Sequence, residues 1–144
     1  MICSFFGHRN TPPYVRIALH RTLYNLISTG KADTFYVGSQ GAFDAMVKQE
    51  LMALQKEFPH VRCYVILTCL PGKKSSLVQT EFPTIFPEGL ETVPHRFAID
   101  HRNRWMVHYA DIVVTYVISS GGASKFMQLA ERMGKMVINL ADVK

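Results

Sequence analysis

The sequence lacks the features that mark several common classes of protein. It contains three cysteines with no C-x-x-C pair among them, so neither a disulfide framework nor a zinc ribbon is expected. No G-x-G-x-x-G follows the first apolar run, which disfavours a nicotinamide-dependent dehydrogenase. No G-x-x-x-x-G-K-[ST] is present either, which excludes a P-loop NTPase.

Long apolar runs and targeting patterns are also missing. No run approaches the roughly 20 residues that span a bilayer, and the N-terminus lacks the basic-then-apolar pattern of a secretory signal. Cys3 and Cys63 lie in apolar, strand-like runs, where a free cysteine behaves as a small hydrophobe. We therefore expect a cytoplasmic protein in a reducing compartment, with no membrane partner.

The composition that is present indicates an ordinary globular domain. Hydrophobic residues make up 48% of the 144 residues and charged residues 19%, which is enough apolar material for a core. The length favours one domain over residues 1–144. A net charge of +5 indicates an anionic partner only weakly, since many basic proteins bind no particular anion.

Apolar runs alternate with helical patterns along the chain. Five continuous apolar runs, typical of strands buried on both faces, are Ile2–Phe6, Thr34–Val37, Arg62–Thr68, Ile112–Val117 and Met136–Leu140. Apolar stripes at helical spacing cover Tyr14–Thr29, Phe43–Phe58 and Ser124–Met133, and a basic helix precedes the fourth run. This order predicts an α/β, Rossmann-like three-layer sandwich with a mostly parallel central sheet of about five strands.

Residues 71–98 interrupt this alternation. The stretch contains Pro71, Pro83, Pro87 and Pro94, and it is too long and proline-rich for a simple connection. Loops of this length in compact domains are usually functional lids or disordered segments. We therefore predict a proline-rich insertion or lid here, whose apolar residues could instead line an interface between copies of the chain.

The ends of the predicted strands carry the residues expected to bind a ligand. In an open parallel sheet, ligands bind outside the carboxyl ends of the strands. Glycine with polar or basic residues follows four of them, and at the third of these Lys73 and Lys74 are typical of exposed loop charges. The candidate residues at the other three are Gly7, His8, Arg9 and Asn10, then Gly38, Ser39, Gly41 and Asp44, then Gly121, Gly122, Ala123, Ser124 and Lys125. Each set has a structural alternative, because glycines also make turns and surface charges are often only solvated.

At two of these strand ends, a binding role and a purely structural role can each be stated for individual residues. A helix beginning at the 121–125 turn would offer unpaired N–H groups and its positive dipole end to a phosphate or carboxylate. Lys125 would add charge, whereas the alternative is a plain turn with Ser124 as N-cap. Asp44 either favours the N-terminal end of its helix or accepts a ligand hydroxyl.

The basic segment before the fourth strand contributes arginine and histidine. A helix that carries Arg102 towards the glycine turn would allow bidentate recognition of an anion, although a solvated basic face is the alternative. The spacing of His95, His101 and His108 matches no common metal-ligand pattern. We therefore predict no metal site and no resident cofactor, and we expect Trp105 in the core.

Three segments resemble the SLOG superfamily. They are "FGHRN", "VGSQGAFD" and "RNRWMVHYADIVVTYVISSGGASKF", and they look like its small stand-alone bacterial and phage members, once grouped as a domain of unknown function. The superfamily includes LOG-type phosphoribohydrolases and DprA-type DNA-processing proteins. The resemblance implies a Rossmann-like domain for a nucleotide or nucleotide-derived ligand, and homodimers as an option.

The resemblance to the LOG-type enzymes is incomplete. Arg102, Met106, Ala110 and Asp111 match the spacing of their signature, and Arg102 falls where they keep a catalytic arginine. Their catalytic glutamate is not matched, because the residues that follow the glycine turn are Phe126, Met127 and Gln128. The sequence therefore leaves open whether the protein is an enzyme.

Three functions follow from these patterns. The leading prediction is a binder of a nucleotide or nucleotide-derived small molecule, with its phosphate on the Gly121–Lys125 helix N-terminus and Arg102 as an anion clamp. The alternatives are a hydrolase of nucleotides and a DNA-processing module of DprA type. Nucleic acid is the less favoured partner, because no alternation of aromatic and basic residues marks a single-strand track.

Overall fold

The computed structural model describes residues 1–69 and 82–143, and within these ranges it contains six strands and four α-helices. The strands are β1 (Ile2–Gly7), β2 (Thr34–Val37), β3 (Arg62–Ile66), β4 (Thr84–Ile85), β5 (Ile112–Tyr116) and β6 (Met136–Asn139). The helices are α1 (Val15–Ser28), α2 (Ala42–Glu57), α3 (Ala98–Tyr109) and α4 (Gly122–Arg132).

The described strands form one sheet in the order β4-β3-β2-β1-β5-β6, and every neighbouring pair is parallel. The order reverses direction at β1, whose neighbours are β2 and β5. A parallel sheet requires crossovers, and helices that follow β1 and β2 cover one face while α3 and α4 cover the other. The predicted α/β three-layer fold with a mostly parallel sheet is confirmed.

The hydrophobic core lies on both faces of this sheet. One cluster joins α1 and α2 to the strands, with Leu19, Leu23, Phe43 and Leu51 fully buried. The other joins α3 and α4 to the opposite face and includes Met106 and Phe126. Burial on both faces explains why the strands read as continuous apolar runs instead of alternating ones.

The 71–98 stretch contributes a sixth strand that the sequence reasoning did not predict. Thr84 and Ile85 pair with Val65 and Ile66 at the edge of the sheet, and short 3-10 turns at Leu90–Thr92 and His95–Phe97 lead into α3. A strand of two residues is too short to show any period in the sequence. The residues from 71 to 81 lie outside the described ranges.

The edge strand also changes the interpretation of the predicted lid. Phe82 is buried in the core on the α2 face, so it does not belong to a free lid or interface surface. Ile85 and Phe86 are half-buried. Trp105, which we expected in the core, is half-buried against the cluster on the α3 face.

Candidate functional site

A pocket lies at the carboxyl ends of β1 and β2, beside the point where the strand order reverses. Its volume is about 160 Å³. Four segments line it, and their residues are Phe5, Phe6, Gly7 and Arg9, then Gly38, Gln40 and Asp44, then Ile99, Arg102, Asn103 and Met106 of α3, and finally Gly122, Ala123 and Phe126 of α4. Each of the three predicted strand-end loops contributes residues to the lining of this pocket.

Arg102 is the buried cation of the pocket, whereas Arg9, which also lines it, is exposed. Arg102 is only 3% exposed. Its Nε donates a hydrogen bond to Asn103 Oδ1 at 3.1 Å, and its Nη1 donates to the Ile66 carbonyl at 3.5 Å. Nη2 has no partner among the described residues, and no fully buried side-chain nitrogen or oxygen atom in these ranges lacks a partner. Nη2 is therefore accessible, and Arg102 is one of the residues that line the pocket.

Asp44 is the carboxylate of the pocket, and it is 8% exposed. Its Oδ2 accepts a hydrogen bond from the Gln40 N–H at 2.8 Å, whereas Oδ1 has no partner within the described ranges. By the same reasoning, Oδ1 is accessible, and Asp44 is one of the residues that line the pocket. Burial raises the pKa of Asp44 above its ordinary value, and the Gln40 N–H and the charge of Arg102 oppose that rise.

The two charged groups flank Gly38 without forming an ion pair. A Cβ on Gly38 would lie 2.8 Å from Asp44 Oδ2 and 3.1 Å from Arg102 Nη1. Only glycine leaves room for both groups beside the end of β2. Burial lowers the pKa of Arg102, and the negative charge of Asp44 opposes this, so each charge favours the ionised form of the other.

The N-terminus of α4 opens onto the same pocket. Gly121 is its N-cap with φ 145°, and the first helical hydrogen bond runs from the Lys125 N–H to the Gly121 carbonyl at 3.0 Å. The N–H groups of Gly122, Ala123 and Ser124 have no acceptor in the described part of the chain. A Cβ on Gly122 would meet nothing within 4 Å, so the glycine faces open space.

Ser124 and Lys125 are placed differently from the predicted cradle. Ser124 is not the N-cap, because the helix begins earlier, and its hydroxyl accepts a hydrogen bond from Gln128 Nε2 at 3.2 Å. Lys125 Nζ donates to Asp100 Oδ1 at 2.6 Å, and this bond lowers the pKa of Asp100. The Lys125 side chain is about half-exposed and does not line the pocket.

In the loop after β1, some residues line the pocket and others make contacts within the protein. His8 Nε2 accepts a hydrogen bond from the Ile118 N–H at 3.0 Å, which ties this loop to the turn after β5. Asn10 is exposed and does not line the pocket, whereas Arg9 lines it and donates to Gln40 Oε1 at 3.2 Å. A Cβ on Gly7 would lie 2.2 Å from Phe43 Cγ, so this glycine lets α2 pack against β1.

The loop after β2 also contains residues that shape the site from outside. Gly41 has φ 93°, and a Cβ there would lie 2.7 Å from the Arg9 Cα, so this glycine allows the two loops to approach. Ser39 is exposed and does not line the pocket.

Sequence reasoning missed the apolar lining of the pocket and two polar residues of it. The apolar residues are Phe5, Phe6, Ile99, Met106 and Phe126, and the polar ones are Gln40 and Asn103. Asn103 directly follows Arg102 and bonds its guanidinium, and Gln40 bonds both Asp44 and Arg9. The position of Gln40 and Asn103 within the segments "VGSQGAFD" and "RNRW" was the only signal for these two residues.

Of the three free cysteines, Cys3 and Cys63 are buried and Cys69 is exposed. The described ranges contain no group of three His, Cys, Asp or Glu side chains that could hold a metal ion. Burial raises the pKa of the Cys63 thiol to about 12 and that of Cys3 well above its ordinary value, so both stay protonated. Among the described residues, no helix is long and apolar enough to cross a membrane.

Comparison with known proteins connects this architecture to one solved structure. No family model and no curated protein matches the sequence. The structure is similar to that of DNA processing protein A (DprA) from Helicobacter pylori, with a TM-score of 0.60 and 16% sequence identity. The fold is DprA-like.

The match covers 95% of this chain but 63% of the DprA chain, so the protein spans less than two thirds of that structure. The H. pylori protein is described as having a unique single-stranded DNA binding mode. At this level of identity, the likeness shows the fold alone, and a shared fold does not establish a shared ligand.

Proposed function

We propose that this protein is a member of the SLOG superfamily and binds a nucleotide or nucleotide-derived small molecule in the strand-end pocket. The observation that carries the proposal is the pair of buried, oppositely charged side chains, Arg102 and Asp44, which both line the pocket and each have one polar atom without a partner among the described residues. Buried charges are costly unless they are paired, and a ligand that pairs with both atoms removes that cost.

The ligand chemistry follows from these groups. Arg102 Nη2 and the free N–H groups at the start of α4 favour an anion such as a phosphate. The open space at Gly122 allows that anion to approach the helix backbone closely. Asp44 accepts a hydrogen bond, which favours a ligand that carries a hydroxyl or amine donor beside its phosphate.

Calorimetric titration with adenosine 5′-monophosphate, ribose 5-phosphate and inorganic phosphate tests this proposal. We expect binding of both sugar phosphates and weaker binding of phosphate alone. Absence of heat with all three would overturn the proposal. Chromatography of the same samples would detect a released base, and thereby test the predicted catalytic role of Arg102.

A second candidate function is binding of single-stranded nucleic acid, which we had treated as the less favoured partner. The fold similarity to DprA supports it, and so does a cluster of four aromatic rings, Tyr36, Tyr64, Trp105 and Tyr109. In the order Tyr64, Tyr36, Trp105 and Tyr109, neighbouring ring centroids lie 6.0, 5.4 and 4.7 Å apart. Tyr109 is 48% exposed. The fold assembles this aromatic cluster from β2, β3 and α3, although the sequence shows no aromatic track.

Fluorescence separates this candidate from the first, because Trp105 is the single tryptophan. If bases stack on the aromatic cluster, a single-stranded oligonucleotide should quench Trp105, and the affinity should fall steeply with salt. Tyr109→Leu should weaken binding by at least about fivefold, given about 1–3 kcal/mol per stacked base. Tyr24→Leu on α1, which alters an exposed tyrosine outside this cluster, is the control; equal effects would contradict the candidate.

A further inference from the structure

The Asp44 carboxylate provides a means of selecting the sugar of the ligand. It is more than nine-tenths buried, and its Oδ1 has no partner among the described residues. An ionised carboxylate only accepts hydrogen bonds, so Oδ1 is satisfied by a ligand that brings an N–H or O–H group. A group without a donor leaves this buried acceptor unpaired, which costs more than the loss of an ordinary hydrogen bond.

The distance between the charged groups limits which part of a nucleotide supplies the donor. Asp44 Oδ2 and Arg102 Nη1 lie 2.8 and 3.1 Å from one point beside Gly38, so they are less than about 6 Å apart. A phosphate on Arg102 therefore places the adjoining sugar, and not the more distant edge of the base, beside Asp44. The pocket volume of about 160 Å³ suits the sugar phosphate part of a nucleotide, so the base would extend beyond the pocket.

We propose that Asp44 accepts a hydrogen bond from the 2′ hydroxyl of the ligand's sugar, and so makes this pocket selective for a ribonucleotide over deoxyribonucleotides and over DNA. A carboxylate that accepts from ribose hydroxyls is a known solution in Rossmann-like folds. Within a DNA strand the 2′ hydroxyl is absent and the 3′ oxygen is esterified, so no sugar donor remains. The DNA phosphate that replaces it carries negative charge, which a buried carboxylate repels.

This inference rests on the proposed function, and the closing experiment distinguishes their failures. Ribose 5-phosphate, 2-deoxyribose 5-phosphate and inorganic phosphate are titrated into the full chain by calorimetry. We expect the ribose compound to bind at least about tenfold more tightly than the deoxy compound, as one hydrogen bond to a charged group is worth about 1.5–3 kcal/mol.

The Asp44→Asn variant tests whether this residue is responsible. Asparagine keeps the shape but not the charge, and we expect the ratio of the two affinities to fall to a few-fold while phosphate binding persists. Asp33 precedes β2, at the opposite end of that strand from Asp44. Asp33→Asn is therefore the matched control and should keep the full ratio of ribose to deoxyribose affinity.

Each outcome decides one of the two proposals. Equal binding of ribose and deoxyribose compounds by the unmodified chain would overturn the inference and leave the proposed function standing. A ratio that persists in Asp44→Asn would also overturn it, because another group would then select the sugar. Absence of binding by all three anions would overturn the proposed function, and this inference with it.

Discussion

Asp44 and Arg102 face each other across the Cα of Gly38, close enough that a single methyl group would contact both. The added carbon would lie 2.8 Å from the carboxylate and 3.1 Å from the guanidinium. Gly38 therefore leaves the room that the two buried charges of the pocket occupy.

Gly38→Ala should displace Asp44 or Arg102, because neither the strand end nor the two buried groups has room for a methyl. We expect a loss of about 1–3 kcal/mol in the free energy of unfolding, which is typical of overpacking, together with weaker binding of ribose 5-phosphate. Urea unfolding and calorimetry measure the two effects. If Gly38→Ala keeps the stability and the affinity of the wild type, the space between Asp44 and Arg102 has room for a methyl group and this prediction is wrong.

Gly122→Ala should weaken binding without a loss of stability, whereas Gly38→Ala should reduce both. The added methyl meets no protein atom within 4 Å, and alanine is the better helix former, so stability should be unchanged or higher by up to about 1 kcal/mol. The same methyl occupies the space in front of the free N–H groups of α4. The affinity for phosphate compounds should therefore fall; an unchanged affinity would place the anion elsewhere.

Arg102→Lys should reduce the affinity for phosphate compounds at least about tenfold. Lysine keeps the charge but cannot hold Asn103 and Ile66 while it also donates to a ligand. Arg104→Lys is the matched control, since Arg104 lies on the same helix but is exposed and paired with Asp100. Circular dichroism checks that both variants fold, and equal affinities in the two would exclude Arg102 from the site.

Asp100→Asn should release Lys125 from its ion pair and allow it to approach an anion at the start of α4. We expect the affinity for phosphate to rise by up to about fivefold, in line with about 1 kcal/mol for a surface ion pair. Lys125→Ala should abolish this gain. If Asp100→Asn has no effect on affinity while folding is intact, Lys125 does not contribute to the site.

The carboxylates of Asp44 and Asp100 should change the free energy of unfolding in opposite directions as the pH rises. The folded-state pKa of Asp44 is raised, so its contribution is present below the ordinary aspartate pKa and is lost as the pH rises through the raised value. The folded-state pKa of Asp100 is lowered, so its contribution is present above the ordinary pKa and is lost on acidification.

Urea unfolding of Asp44→Asn and Asp100→Asn as a function of pH measures these contributions. Compared with wild type, Asp44→Asn should lose less stability as the pH rises from 4 to 7, and Asp100→Asn should lose less as the pH falls below 4. Parallel curves for wild type and Asp44→Asn would show that the carboxylate is not desolvated in the folded protein.

The order of elements was predictable because it depends on local patterns. The bounds of β2 agree with the predicted run Thr34–Val37, and α1 and α2 each differ from their predicted bounds by a residue at either end. Continuous apolar runs imply strands covered on both faces, and alternating helices imply parallel crossovers. Because parallel strands have their carboxyl ends on the same side of the sheet, these patterns also place the strand-end loops together. The two-residue strand β4 was not predictable, because it has no pattern of its own and exists only by pairing with β3.

The roles of individual loop residues were not predictable to the same degree. His8 and Lys125 look like ligand-binding groups in the sequence, yet each is engaged by a partner far along the chain, at Ile118 and Asp100. Asp44 and Arg102 come from different elements, α2 and α3, and meet only because both pack beside β2. The sequence alone determined five of the six described strands, the grouping of their carboxyl-end loops on one side of the sheet and the presence of an arginine on α3, since these follow from local periodicity and composition. Only the tertiary structure decided which polar atoms keep a free hydrogen-bonding direction, because hydrogen-bond partners are chosen by proximity in space.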